Sequence, residues 1–285
     1  MAVSYWIVFV IFYGILKGSR EPMKKAVLSS VNVPTALFAY TFIGFLMAAF
    51  TVKGNLVLSG YTFFLVAAKS FAVFVAWTAS FAALKKVPVS VYGITDMSRV
   101  IFATIMSVLF LHESLTVKGI VSLILVAGGL YFANKRQSDG EEQFSMKYTW
   151  LIIFSCFMNA VSGILDKYIM SLGVITSSVL QFYFMLMLSV MYIAYIVIKK
   201  EKFQLVTALK NPWLYVLSLS LVFGDRLLFA ANSDPESLVS VMTVVKQSSA
   251  IVTIILGKLI YNEKNIRRKL ICAGVILAGI ALAAF

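Results

Sequence analysis

The chain has 285 residues, of which 61% are hydrophobic and 13% charged, with a mean hydropathy of +0.93. Soluble domains run at roughly 45–50% apolar and about 25% charged, so a water-soluble globular protein is excluded. The net charge of +13 sits in stretches between apolar segments. Contacts with anionic lipid headgroups account for it more simply than nucleic acid does.

A membrane helix needs about 20 mostly apolar residues, and the chain has room for about ten such spans. The first apolar stretch lacks a basic head and a small-residue cleavage site, so it reads as span 1, residues 3–22, rather than a signal peptide. Span 1 grows polar in its second half, with Lys17, Arg20 and Glu21. Spans 2 and 3 cover 34–52 and 61–83, the latter with Lys69 and Trp77. Lys85-Lys86-Val87-Pro88 turns the chain into span 4, Val89 to Glu113, which carries Tyr92, Asp96 and Arg99. Span 5 covers 117–133. The polar, turn-rich stretch 135–147 is the linker between two halves. Spans 6, 7 and 8 cover 149–170, 175–198 and 212–231, with Asp166-Lys167 near the end of span 6 and Asp225-Arg226 in span 8. Span 9 contains Lys246 and Gln247, and span 10 covers 270–285. The two cysteines, Cys156 and Cys272, both lie in apolar runs and suggest no disulfide framework.

Span 4 has a counterpart. Val239 to Glu263 begins 150 positions after Val89 and opens on the same Val-Ser-Val; Ser98 matches Ser248, Glu113 matches Glu263, and Asp96 falls opposite Lys246. Gly14-Ile15-Leu16 recurs as Gly163-Ile164-Leu165, Phe81-Ala82-Ala83 as Phe229-Ala230-Ala231, and Gly129 as Gly279. The chain therefore divides into repeat units at 1–134 and 148–285, joined by 135–147. Five spans per unit is an odd number, so the second unit enters the membrane from the opposite side. The expected fold is an all-α membrane protein of ten transmembrane helices in two inverted five-helix repeats.

Seven basic side chains lie within the spans away from the loop ends (Lys17, Arg20, Lys69, Arg99, Lys167, Arg226, Lys246) against four acids in that zone (Glu21, Asp96, Asp166, Asp225). Facing lipid at the bilayer centre costs an ion roughly 2.5–3.5 kcal/mol even on insertion scales, so these groups face one another or a wet cavity. Structural pairing would join Asp96 to Arg99, Asp166 to Lys167 or a neighbour, and Asp225 to Arg226. It leaves three cations over, which favours an anionic or zwitterionic solute held by Lys and Arg. The candidate solute-binding residues are Lys17, Arg20, Lys69, Asp96, Arg99, Asp225, Arg226, Lys246 and Gln247, with Trp77 and Tyr92 on the wall. Glu113 and Glu263 stand at loop–helix junctions and read as structural, each favouring the positive N-terminus of the next helix. His112 has no second His or Cys nearby, so neither a metal nor another cofactor is expected. No phosphate loop and no Ser–His arrangement at membrane depth is present, so the chain does not read as an enzyme.

The run Ala83-Leu84-Lys85-Lys86-Val87-Pro88-Val89-Ser90, then an apolar helix, then Leu111-His112-Glu113-Ser114-Leu115-Thr116 and a Gly-rich helix, resembles the EamA-type members of the drug/metabolite transporter superfamily. A weaker second copy ends in Asn262-Glu263-Lys264. The resemblance implies two inverted five-helix bundles, a central cavity, and alternating access for a small solute. It also implies a multi-pass protein of the bacterial plasma (inner) membrane, partnered by its solute and by lipid but not by nucleic acid, as a monomer or homodimer. The family often has a Pro inside span 4, where Arg99-Val100 stands here. The small multidrug branch uses a Glu within its first helix, whereas Glu21 lies late in span 1 beside Arg20. Rival readings are a channel, an exporter of amphipathic or cationic compounds, and a membrane enzyme on a lipid-linked or phosphorylated substrate with Asp96 or Asp225 as base.

Charge also predicts orientation. The loops after odd-numbered spans hold Lys24 and Lys25; Lys85 and Lys86; Lys135, Arg136 and Lys147; Lys199, Lys200, Lys202 and Lys210; and Lys264, Arg267, Arg268 and Lys269. The opposite face holds Lys53 and Lys118. The positive-inside rule then puts both termini outside the cytoplasm, whereas the resemblance implies termini inside.

Overall fold

The computed structural model describes residues 5–111, 116–134, 145–232 and 246–284, and no strand occurs among them. The helices are α1 (Tyr5–Leu28), α2 (Val33–Ala49), α3 (Gly60–Leu84), α4 (Val89–Asp96), α5 (Arg99–Leu111), α6 (Val117–Asn134), α7 (Met146–Ser171), α8 (Ser177–Lys199), α9 (Leu205–Leu209), α10 (Pro212–Asn232), α11 (Ser249–Tyr261) and α12 (Ile266–Ala284). The linker expected at 135–147 and the His112-Glu113 loop lie largely or wholly outside the described residues.

Short polar residues at the ends of apolar runs set the helix boundaries. The Asn32 side chain accepts from the Thr35 N–H at 3.1 Å, Ser59 from Thr62 at 3.1 Å, and Thr176 from Val179 at 3.4 Å, so each satisfies a first-turn donor. Lys200 and Asn262, both at φ 51°, close α8 and α11 in the left-handed conformation.

Span 4 is not one helix. It breaks between α4 and α5, where the N–H groups of Met97, Ser98, Val100 and Ile101 each reach back three residues instead of four. A 3₁₀-like tightening thus makes the break without the proline. A similar break precedes α11 at Ser248, the residue matched to Ser98, where the Ile251 N–H donates to the Ser248 carbonyl at 2.9 Å. In α1, Pro22 has no N–H to give the carbonyl of Gly18. The Thr253 hydroxyl on α11 supplies that bond at 2.9 Å.

Among the described residues, four stretches are long and apolar enough to cross a membrane: α3, the α4–α5 pair (Val89–Phe110), α7 and α8. Shorter apolar helices are α2, α6 and α11. Large apolar side chains such as Phe50, Phe64, Ile124, Val197 and Leu259 are mostly exposed. Water would penalise such a surface and lipid does not.

The helices pack α3 on α7, α1 on α10, α2 on α8, α6 on α12, α4 on α11, α1 on α11, and α5 on α7. One core, around Leu37, Tyr40, Leu188, Tyr192 and Leu217, joins α2, α8 and α10. A second, around Ile94, Val126, Ile254, Ala273 and Ile276, joins α4, α6, α11 and α12. The small residues of α6 and α12 serve partly inside the chain. A Cβ on Gly129 would meet Ile276 at 2.5 Å, and one on Gly279 would meet Leu125 at 2.9 Å, whereas Gly128 and Gly274 face open space.

Candidate functional site

Membrane helices that carry charge must bring those charges together, and the structure gathers them into two centres. The first lies among α3, α7, α8 and α10. The Lys69 ammonium, 6% exposed, sits 3.1 Å from an Asp166 carboxylate oxygen and 3.9 Å from the centre of the Phe184 ring. Its third neighbour is the Ser162 hydroxyl at 3.5 Å. The Gln181 amide donates to Asp225 at 3.4 Å, and the Arg20 guanidinium stands 4.0 Å from the other Asp225 oxygen. Lys69, Asp166, Gln181, Phe184 and Asp225, with Met170, Ser177 and Leu180, line a cavity of about 190 Å³. Met170 and Ser177 flank the α7–α8 turn, so the cavity runs toward that end of the molecule. The Asp166 side chain is 41% exposed.

The second centre lies where α1, α4 and α11 meet. An Arg99 guanidinium nitrogen donates to Asp96 at 2.8 Å across the α4–α5 break, and the Cys156 thiol lies 3.6 Å from the same carboxylate oxygen. Lys24 pairs with Glu21 at 2.7 Å. Lys17, Glu21, Tyr92, Asp96, Gln247 and Ser249 surround a void of about 10 Å³. That is room for about one water.

The remaining candidates fall elsewhere. Arg20, 7% exposed, donates to the carbonyls of Ser220 at 2.7 Å and Leu221 at 3.5 Å on α10. Arg226 turns away from Asp225 and donates to the Thr51 carbonyl at 3.2 Å, at the end of α2. Asp225 therefore faces Arg20 and Gln181 instead of the neighbour that sequence proximity suggested. Asp166 likewise pairs with Lys69; the Lys167 side chain lies outside the described residues. Asp96 takes Arg99, and no ion pair joins it to Lys246 among the described residues. Trp77 packs between Tyr40 and Phe184 at 5.4 and 6.1 Å, behind the cavity wall, and the Tyr92 hydroxyl is tied to Ser80 at 2.6 Å.

Three features were not apparent from sequence. Gln181 and Phe184 lie in an apolar run with nothing to distinguish them. Asp166 occupies the position matched to Lys17, so the repeat itself was a usable signal for it. Glu263 does cap a helix, but not the next one. Its carboxylate accepts from the N–H groups of Val89 at 2.5 Å and Ser90 at 2.9 Å, and from the Ser90 hydroxyl, at the start of α4. Glu113 lies outside the described residues.

Apolar membrane-crossing helices with ion pairs buried between them define a multi-pass integral membrane protein. Residues 4–135 match the EamA-like transporter family. That match supports a membrane transporter of the drug/metabolite type, a class whose members move small-molecule solutes within a lipid environment. A protein of known crystal structure, 17% identical, aligns with a TM-score of 0.65 over 96% of this chain and 94% of that chain. At that identity the likeness concerns the fold. No curated protein matches the chain.

Proposed function

We propose that the protein is an alternating-access carrier for a small zwitterionic metabolite bearing an amine, bound in the cavity among α3, α7, α8 and α10. The observation that carries this is the charge of the lining: one ammonium, Lys69, against two carboxylates, Asp166 and Asp225, beside an aromatic face, Phe184. An incoming ammonium would meet Asp225 and the ring of Phe184, since a ring face attracts cations. The solute's carboxylate would meet Lys69. Charges imperfectly matched among these side chains would be completed by a solute carrying both signs.

Two five-helix units, 1–134 and 148–285, fit the packing. Exchanging each span for its counterpart turns α3 on α7 into α10 on α1, and α1 on α11 into α7 on α4–α5, while α2 on α8, α4 on α11 and α6 on α12 map onto themselves. Two ion pairs, Lys69–Asp166 and Arg20–Asp225, lie at exchange-related contacts. An inverted repeat provides two alternative closures of one central site. The membrane in this reading is the bacterial plasma membrane.

Thermal stabilisation of the purified protein, scored across amino acids, organic anions and cationic amines, tests the assignment. Stabilisation by zwitterionic amino compounds that disappears in Asp225→Asn supports it. A shift produced only by organic anions, unaffected by Asp225→Asn, would reject it.

A further inference from the structure

Among the described residues, α1, α4 and α11 are drawn tightly together on the side of the molecule that carries the basic loops. Helix α11 lies so close to α1 and α4 that a Cβ on Gly18 would stand 2.4 Å from the Ser249 carbonyl, and one on Gly93 would stand 2.7 Å from Thr253. Cross-contacts seal the same end: Thr253 on the Gly18 carbonyl at 2.9 Å, the Tyr261 hydroxyl on the Pro22 carbonyl at 2.9 Å, and Glu263 on the start of α4. The candidate cavity, by contrast, runs toward the opposite end.

Of these seals, Glu263 is the one that a helix depends on. The residue before α4 is Pro88, which offers no side-chain oxygen, and no local side chain caps the helix. The first-turn donors of α4 are instead satisfied by a carboxylate more than 170 residues away in sequence. The chain aims that carboxylate deliberately. Asn262 turns left-handed at the end of α11, the Glu263 N–H bonds back to the Gly257 carbonyl at 3.3 Å, and the Glu263 side chain passes over Gly257. A Cβ on Gly257 would lie 2.8 Å from the Glu263 carboxylate, so a side chain there would block the path. From α12, the Lys269 ammonium reaches the Ser90 hydroxyl at 2.9 Å and adds positive charge beside the carboxylate. A carboxylate on helix N–H groups is a charge-assisted bond favoured by the helix dipole. It is also one that water can replace once the end opens.

We infer that Glu263 is the latch of the gate at the basic end: its carboxylate, carried by the α11–α12 turn, holds α4 and α11 together in the state closed at that end and lets go when the end opens. Glu263 is thus a positioning residue for transport that touches no solute. The inference rests on the carrier reading above, and its test is independent of any solute.

The test places a single reporter cysteine at the buried Ser249 (Ser249→Cys) in a chain with Cys156→Ser and Cys272→Ser, and measures its labelling by a membrane-impermeant maleimide. Labelling is slow with Glu263 present. Because a charge-assisted bond is lost from the closed state alone, Glu263→Gln should speed labelling roughly tenfold or more. Ser90→Ala, which removes the hydroxyl donor and the Lys269 contact, should act in the same direction and covers the case in which Glu263→Gln fails to fold. Unchanged labelling in either folded variant, with only a lowered melting temperature, would make Glu263 an ordinary structural cap and overturn the latch. Faster labelling in a protein that shows no solute exchange in proteoliposomes would uphold the latch and sink the carrier reading. Solute exchange with unchanged labelling would sink the latch alone.

Discussion

The Arg20 guanidinium on α1 donates to the Ser220 carbonyl of α10 at 2.7 Å, in the space left by the missing side chain of Gly224. A Cβ on Gly224 would fall 2.3 Å from an Arg20 nitrogen. Arg20 therefore holds α1 to α10 first and tunes Asp225 second. Arg20→Ala should cost about 1.5–3 kcal/mol, the worth of a hydrogen bond to a charged group, read as a lower thermal midpoint. Gly224→Ala should reproduce that loss with Arg20 still present. Arg20→Lys should not restore it, because an ammonium lacks the guanidinium fork. A normal midpoint in Gly224→Ala would show that Arg20 is not an anchor.

Lys69 and Asp166 behave differently, since Asp166 is partly exposed to the cavity. Lys69→Met removes the buried cation and leaves only the partly exposed Asp166 carboxylate, which water can solvate, so it should leave folded yield intact while abolishing solute exchange in proteoliposomes. Loss of folded protein instead would place the pair among the structural contacts.

The Asp96 carboxylate has taken Arg99 and not Lys246. A double-mutant cycle of Asp96→Asn with Arg99→Met should show coupling of about 0.5–3 kcal/mol, whereas Asp96→Asn with Lys246→Met should be additive to within about 0.5 kcal/mol. Coupling between Asp96 and Lys246 of the larger size would mean that the two meet in another access state.

Thr253 completes the bond that Pro22 denies to Gly18. Thr253→Val leaves that buried carbonyl unsatisfied, at about 1–3 kcal/mol. Pro22→Ala returns a donor within α1, so the double variant should regain most of the loss. If the double variant is no better than Thr253→Val, the hydroxyl matters for packing and not for the carbonyl.

The basic loops predict that both termini lie outside the cytoplasm, against the orientation that the family resemblance implies. A reporter fused after Phe285 that is active only outside agrees with this, and one active only in the cytoplasm reverses it.

The sequence by itself determined that this chain lives in a membrane, where its helices run, and that it repeats itself. Each of these is a local or periodic property: hydropathy over about 20 residues and the match of Val89–Glu113 to Val239–Glu263. It also showed which charges must avoid lipid. Only the tertiary structure decided whom they meet. Adjacency in sequence suggested Asp225 with Arg226, but residues one apart on a helix point about 100° from each other. The fold instead brings Arg20 from α1 and Gln181 from α8 to Asp225, and sends Arg226 to Thr51. Glu263 shows the same limit. Its sequence position promised a cap on the helix that follows, and a left-handed turn at Asn262 and the gap at Gly257 carry its carboxylate to α4 instead. Partners of buried charges are chosen by helix packing across the whole chain, and no short-range pattern in the residues encodes that choice.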